Sequence, residues 1–378
     1  MVAREDPELK ELLEKFVTVR CVQMGGVDLN LFQFDPMLSW SVFFLNGDKT
    51  IYGRFGSAHT DAKRSKKDSN RNHTITGLKA AMKGALEVHA QYTKDAAAMQ
   101  PRLAAKVGAP WPWKHAEKTP SSRKYKRHER IKATSRDTKG CVHCHEVQRV
   151  MIDSYFMTKK PITDDMLWMY PHPEWVGISL DRDARATITT VRDGSPAAKA
   201  GLRVGDRIVT MAEQPILSPA DVTWVLHRMP DAGGRIAVGL ERGGTPSTIV
   251  LPLPKDWRRT YGDFAWRYRI AGYAMWLWAG ATLWDHAEGV RIASHAPWWF
   301  KKDNKSARKV LKPRDVIVAV DGKSTHDGTH PWTRSTYLAY LMREKKPGST
   351  VKLRMKRGDK TVDASFKMPK PRPEVMGH

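Results

Sequence analysis

The residues best suited to chemistry lie in Gly140-Cys141-Val142-His143-Cys144-His145. Two thiols three positions apart, followed at once by a histidine, have the spacing of covalent haem attachment. Each sulfur adds to one vinyl group and the imidazole serves as proximal axial ligand. On a helix, residues three and four apart share a face, so Cys141, Cys144 and His145 can address one macrocycle edge. The second axial ligand would be Met or His, and Met151, Met157, Met166, Met169 and His172 all follow. Met169 is preferred, because the prolines of Met169-Tyr-Pro-His-Pro hold that segment extended and Trp168 and Tyr170 could wall a haem. The same thiols allow two other chemistries: a disulfide, or a zinc site formed with His145, His143 or His128. Haem c, zinc and no metal therefore stay open as alternatives. Cys21, alone in an apolar β-branched run, reads as a buried structural thiol.

With these residues the segment 140–173 resembles a c-type cytochrome, although the likeness rests on the CxxCH motif. That resemblance implies an electron-transfer partner and an extracytoplasmic, periplasmic location, where haem is attached covalently. The opening Met1-Val-Ala-Arg-Glu-Asp-Pro-Glu has acids where a secretory leader has an apolar core, so no leader is expected within these residues, and under the haem reading one is expected upstream of Met1. Without haem, the expectation is the cytoplasm.

The chain of 378 residues carries a formal charge of +24. Twelve Lys/Arg against three acids fall between Arg102 and Lys139. Such a field attracts anions, but no nucleic-acid-binding signature accompanies it, so a solvated basic surface is expected and no nucleic-acid partner. No apolar run reaches the ~20 residues of a membrane-spanning helix.

The elements that must position these groups read as follows. Leu9, Leu12, Leu13 and Phe16 have helical spacing, and Phe16 to Val22 reads as a strand. Trp40 to Leu45, Asn46-Gly47-Asp48 and Thr50 to Phe55 read as a hairpin with a tight Asn-Gly turn, and Thr76 to Tyr92 as an amphipathic helix. This order resembles the second half of a thioredoxin-like domain. The redox CxxC unit is missing from these residues and Trp40 stands where that family places a cis-proline, so residues 1–93 are expected to be an inactive remnant, or part of a family member whose first unit lies upstream of Met1. Residues 94–139, rich in Pro, Lys and Arg, read as a basic linker.

From Trp175 the pattern becomes more specific. Trp175-Val-Gly-Ile-Ser-Leu180 is followed by Gly194-Ser-Pro-Ala-Ala-Lys-Ala-Gly-Leu, Gly205-Asp206 leading into a strand, a helix from Ser218, and closing strands from Arg235 to Leu253. This resembles the PDZ domains of HtrA-type proteases. The resemblance implies that a protein C-terminus or extended peptide adds as a strand beside Ile178, Ser179 and Leu180. Its carboxylate would be held by the Val176-Gly177-Ile178 loop, and its side chains would lie against Val222 and Leu226 of the helix. The pattern then repeats: Trp278-Ala-Gly-Ala-Thr-Leu283 echoes Trp175 to Leu180, Asp315-Val-Ile echoes Asp206-Arg-Ile, and Arg357-Gly358 echoes Arg242-Gly243. The second copy lacks the Gly-Ser-Pro-Ala-Ala run.

The expected fold class is α+β and multi-domain: a thioredoxin-like α/β remnant (1–93), the linker (94–139), the CxxCH segment (140–173) and a PDZ-like β-sandwich or barrel module (174–255). An aromatic connector (256–277), a degenerate second module (278–369) and a tail (370–378) complete it. Gly194-Ser195-Pro196 belongs to the module's turn and no protease triad can be assembled, so the chain is not expected to be an enzyme. Two functions follow: a haem-bearing protein- or peptide-binding protein in electron transfer or redox-linked protein handling, or a haem-free scaffold or adaptor whose CxxCH is a disulfide or zinc site. A thiol oxidoreductase using Cys141 and Cys144 is a third.

Overall fold

Asp6 opens the first helix, α1 (Pro7–Leu13), by accepting the Leu9 N–H at 2.9 Å. The apolar run of the hairpin becomes β1 (Val42–Leu45) and β2 (Ile51–Phe55), paired antiparallel. The turn differs from the expected one: the left-handed residue is Lys49 (φ 72°), not Gly47, and Asp48 Oδ1 accepts the Thr50 N–H at 2.8 Å. Five residues, 46–50, separate the strands, so the Asn-Gly pair is not the centre of a two-residue turn. Helices α2 (Ile75–Lys94) and α3 (Ala96–Ala104) follow, with Asp95 both ending the first and capping the second.

Two expectations fail in this region. Residues 16–21 form no strand, Val17 and Val19 are 95% and 84% exposed, and Cys21 is an exposed free thiol. A β-branched run becomes a strand only when a neighbour satisfies its backbone, and among the described residues β1 and β2 pair only with each other. The stretch expected to be a linker is ordered over its described part. It holds α3, a 3-10 turn (Ala116–Lys118) and α4 (Pro120–Tyr125), and it buries Met99, Leu103, Lys106 and Trp111. Its charge count concealed the helical spacing of Met99 and Leu103.

The computed structural model describes residues 6–21, 23–36, 38, 40–56, 74–125, 144–261, 274–298 and 304–369. The chain divides into two units. The first comprises Met1–His115, His143–His145 and Trp168–Gly262, and the second Ala116–Val142, Glu146–Leu167 and Asp263–His378. No helix among the described residues is long and apolar enough to cross a membrane.

Helix α5 (Cys144–Thr158) and the short α6 (Asp164–Leu167) precede the first repeat. In the first unit that repeat forms β3 (Ile178–Leu180), β4 (Ile188–Val191), α7 (Pro196–Lys199), β5 (Arg207–Met211), β6 (Gln214–Pro215), α8 (Pro219–Arg228), β7 (Gly234–Arg242) and β8 (Thr245–Leu253). Strands β3 and β4 make one sheet; the other has the order β6-β5-β7-β8. Ser195 caps α7 and Ser218 caps α8, each with proline at the first helical turn. The connector then begins as α9 (Trp257–Tyr261), where Arg258 donates to the His227 carbonyl at 2.7 Å and closes the C-terminus of α8.

In the second unit a π-helical turn (Met275–Ala279) leads into β9 (Ala281–His286), β10 (Gly289–His295), α10 (Lys305–Val310), β11 (Val316–Val320), α11 (Arg334–Glu344), β12 (Thr350–Arg357) and β13 (Lys360–Lys367). These strands form one sheet ordered β13-β12-β11-β10-β9. Helix α5 belongs to this unit's core: Phe156 meets Trp278 edge-on at 4.6 Å, and Ser121 Oγ donates to the Val150 carbonyl at 2.7 Å.

The internal repeat has a structural signature. Arg242 clasps Asp206 at 2.7 and 2.8 Å, and Arg357 clasps Asp315 at 2.8 and 2.7 Å. Each carboxylate also accepts a backbone N–H, from Arg203 at 2.8 Å or Lys312 at 2.9 Å. A nearly fully buried acid held by a bidentate guanidinium thus fixes the turn entering β5 in one copy and β11 in the other.

Candidate functional site

In the first copy the segment Val176-Gly177-Ile178 joins the 3-10 turn Pro173–Trp175 to β3. Gly177 has φ 96°, and a Cβ there would stand 2.1 Å from Ser195 Oγ, so only glycine fits beside the α7 cap. The Val176 and Gly177 N–H groups donate to the Pro173 and Glu174 carbonyls, both at 3.1 Å. Two of the three loop amides expected to hold a carboxylate, those of Val176 and Gly177, are thus engaged inside the turn. Val176, Gly177 and Ile178 are buried, whereas Ser179 and Leu180 are half-buried.

Among the described residues strand β3 pairs only with β4. The Arg192 N–H reaches the Gly177 carbonyl at 2.8 Å, and the Asp181 N–H reaches Thr187 at 2.7 Å. By antiparallel alternation, the backbone groups of Ile178 and Leu180 therefore point away from β4, toward the outer edge.

Helix α8, expected to wall the groove, is buried from Ala220 through His227. Val222 and Leu226 are both fully buried. The other faces of the helix are covered by the N-terminal region and the segment before β3. Asp221 accepts Lys106 Nζ at 2.6 Å, the Arg54 N–H at 3.2 Å and the Leu217 N–H at 3.0 Å. Arg54 lies 3.9 Å from the Trp224 ring centroid and donates to the Lys106 carbonyl at 2.6 Å. Lys106 and Asp221 are both fully buried. Burial pushes the Lys106 ammonium down from its usual range, while Asp221 opposes that shift. Burial also pushes the Arg54 guanidinium down to about 10. Tyr170, at φ 51°, stacks on His227 with ring centroids 4.4 Å apart. Trp168 meets Trp175 at 6.2 Å. Composition alone hid this ionic node, because Lys106 sits in a run that looks solvated.

The second copy repeats the loop with Gly280 at φ 72°, where a Cβ would meet Ala307 at 2.6 Å. Its edge strand β9 is covered differently. The Leu283 N–H points outward and meets Met275 Sδ at 3.4 Å, and Trp276 Nε1 donates to Thr282 Oγ1 at 3.1 Å. Leu283 occupies the place of Leu180.

Of the CxxCH residues, Cys141 lies outside the described residues, as do the side chains of Cys144 and His145; Cys144 is the first residue of α5. The candidate axial ligands fall in separate units, Met151, Met157 and Met166 in the second and Met169 and His172 in the first. Met151, Met166 and Met169 are core side chains. The His172 side chain accepts the Glu174 N–H at 3.4 Å.

Comparison with known proteins agrees with the repeat. Residues 175–253 and 280–368 each match the family described as PDZ domain, so the chain carries two PDZ domains. A stretch of 80 residues is 36% identical to a probable periplasmic serine endoprotease DegP-like of Pseudomonas putida, covering 20% of this chain and 17% of that protein. A stretch of 185 residues is 26% identical to the periplasmic serine endoprotease DegP of Salmonella typhimurium, covering 49% of this chain and 34% of that one. The chain thus spans well under two thirds of the length of these relatives.

Proposed function

We propose that the chain binds other proteins by receiving an extended segment or C-terminus along the outer edge of β3. The supporting observation is the direction of the Ile178 and Leu180 backbone groups, away from β4, beside two half-exposed side chains. An added strand gains affinity from main-chain hydrogen bonds and specificity from alternate side chains. With the Val176 and Gly177 amides engaged in their own turn, internal extended segments are favoured over free carboxylates. The N-terminal layer, in this reading a thioredoxin-like remnant, serves as the platform that holds α8. The names of the relatives support a periplasmic setting.

Fluorescence anisotropy of the full chain against a decapeptide library, each member with a free or an amidated C-terminus, tests the reading. Leu180→Pro removes an outward N–H and leaves the β3–β4 ladder whole, so binding should fall while the thermal midpoint holds. Equal binding by wild type and L180P would refute the edge.

The CxxCH unit is proposed as a haem c attachment site through Cys141, Cys144 and His145. Its support is that α5 begins at Cys144, which gives Cys144 and His145 the helical turn the motif needs. Expression with haem-maturation machinery should yield a visible absorption band that survives acid–acetone extraction; its absence would leave the binding protein haem-free.

A further inference from the structure

The turn between β11 and α11 sets the second PDZ domain apart from the first. In the first copy residues 212–218 connect β5 to α8, with β6 inside them; in the second the connection runs from 321 to 333 and contains His326, Asp327 and His330. One ligand atom from each of these three side chains lies within 4.8 Å of the others. The two imidazole rings are nearly parallel, at 18°, with centroids 5.9 Å apart.

The carboxylate divides its work. Asp327 Oδ1 accepts the Thr329 N–H at 2.9 Å, the His330 N–H at 2.8 Å and the Thr329 hydroxyl at 3.0 Å, which fixes the group in place. Oδ2 faces both rings, 2.8 Å from His330 Nδ1 and 3.8 Å from His326 Nδ1. Thr329 Oγ1 also lies 2.8 Å from His330 Nδ1. The turn is closed on itself by the His326 N–H to the His330 carbonyl at 3.2 Å and by the Thr325–Pro331 bridge. It is anchored by buried Trp332, whose Nε1 donates to the Lys323 carbonyl at 2.9 Å. The His330 and Thr329 donors hold the Asp327 carboxyl well below the usual carboxylate range, although burial alone would raise it.

We propose that His326, Asp327 and His330 form a binding site for a zinc-class divalent cation, held by two imidazole nitrogens and one carboxylate oxygen. Donor atoms around a tetrahedral zinc with bonds of about 2.0–2.1 Å stand roughly 3.3–3.5 Å apart. The two Asp–His separations of 2.8 and 3.8 Å bracket that spacing, and the two imidazoles have ligand nitrogens within 4.8 Å of each other, so modest rotation of the rings brings the three donors to it. Nitrogen ligands select zinc, cobalt, nickel or copper over magnesium and calcium, which prefer all-oxygen sites. Three protein ligands leave one position open. The site precedes α11, which Thr333 caps and whose first residue, Arg334, donates its N–H to Asp285 of β9 at 2.8 Å. A metal here would put an electrophilic anchor beside the end of that strand, available to a donor atom of a bound partner.

The test is calorimetric titration of Zn2+ into the full chain carrying Cys21→Ser, Cys141→Ser and Cys144→Ser, so that the thiols contribute nothing. One equivalent should bind, and Mg2+ at the same concentration should give no heat. Co2+ in the same protein should give d–d bands without thiolate charge transfer. His330→Gln, at a side chain 66% exposed, and Asp327→Asn should each weaken Zn2+ binding by roughly tenfold or more. His326→Gln with His330→Gln should abolish it, with thermal unfolding in the absence of metal confirming that each variant is folded. Absence of binding, or binding unchanged by the His330 and Asp327 substitutions, overturns the site.

Discussion

The two PDZ domains share a frame and differ in what covers it. Both fix one turn with the same carboxylate and guanidinium, Asp206 with Arg242 and Asp315 with Arg357, and both need a left-handed glycine, Gly177 or Gly280, where the chain enters the edge strand. In the first domain the groove helix α8 is held from outside by Lys106 and Arg54 of the N-terminal layer. In the second, the edge strand is capped by Met275 and the turn before α11 carries two histidines. What repeats is therefore the part that makes the fold, and what differs surrounds the edge strand and the helix beside it. Duplicated modules diverge where a change does not unseat the core.

The largest test of this contrast removes the buried cation. Lys106→Met leaves the Asp221 carboxylate fully enclosed with only its two backbone donors, and should cost about 3–5 kcal/mol. In urea unfolding followed by tryptophan fluorescence, the transition of the first unit should move and that of the second should not. A loss below about 1 kcal/mol, the range of surface pairs, would make the node incidental.

Next come the shared clasps. Asp206→Ala and Asp315→Ala each delete a nearly fully buried acceptor of two guanidinium bonds and one backbone N–H, and each should cost about 2–3 kcal/mol in its own unit. Similar losses would support a common frame; a loss confined to one copy would break it.

A smaller effect appears with acid. The hydrogen bonds from Arg242 hold Asp206 below the usual carboxylate range, opposed by burial and aided by the Arg203 N–H. A lowered folded-state pKa contributes stability that is fully present above the unfolded value of about 3.9 and is lost as pH falls through the folded value. Arg242→Gln should therefore flatten the acid limb of the first unit's stability curve. The smallest change, Met275→Leu, removes only a weak sulfur acceptor from the Leu283 N–H and should shift stability by less than about 0.5 kcal/mol.

Several of these features were legible in the sequence. The Asp315/Asp206 and Arg357/Arg242 echoes gave the repeat, and Ser218-Pro219 marked the start of α8, because caps and bidentate pairs are local or carry strong residue identity. The covering of the outer faces of α8 was not legible, because it depends on Lys106 meeting Asp221 across 115 positions. The failed strand at Val17 and Val19 has the same cause: propensity names a conformer, and a partner decides whether it forms. The His326-Asp327-x-x-His330 spacing was visible yet unremarkable until the turn brought the three groups onto one side.

Hydrogen–deuterium exchange of the full chain, free and saturated with the tightest peptide from the decapeptide library, tests the central claim most directly. The account predicts slowed exchange at the outward amides of Ile178 and Leu180, with Ser179 and the paired β4 residue Thr190 unchanged. Protection confined to other strands, or no library member bound at all, would contradict it.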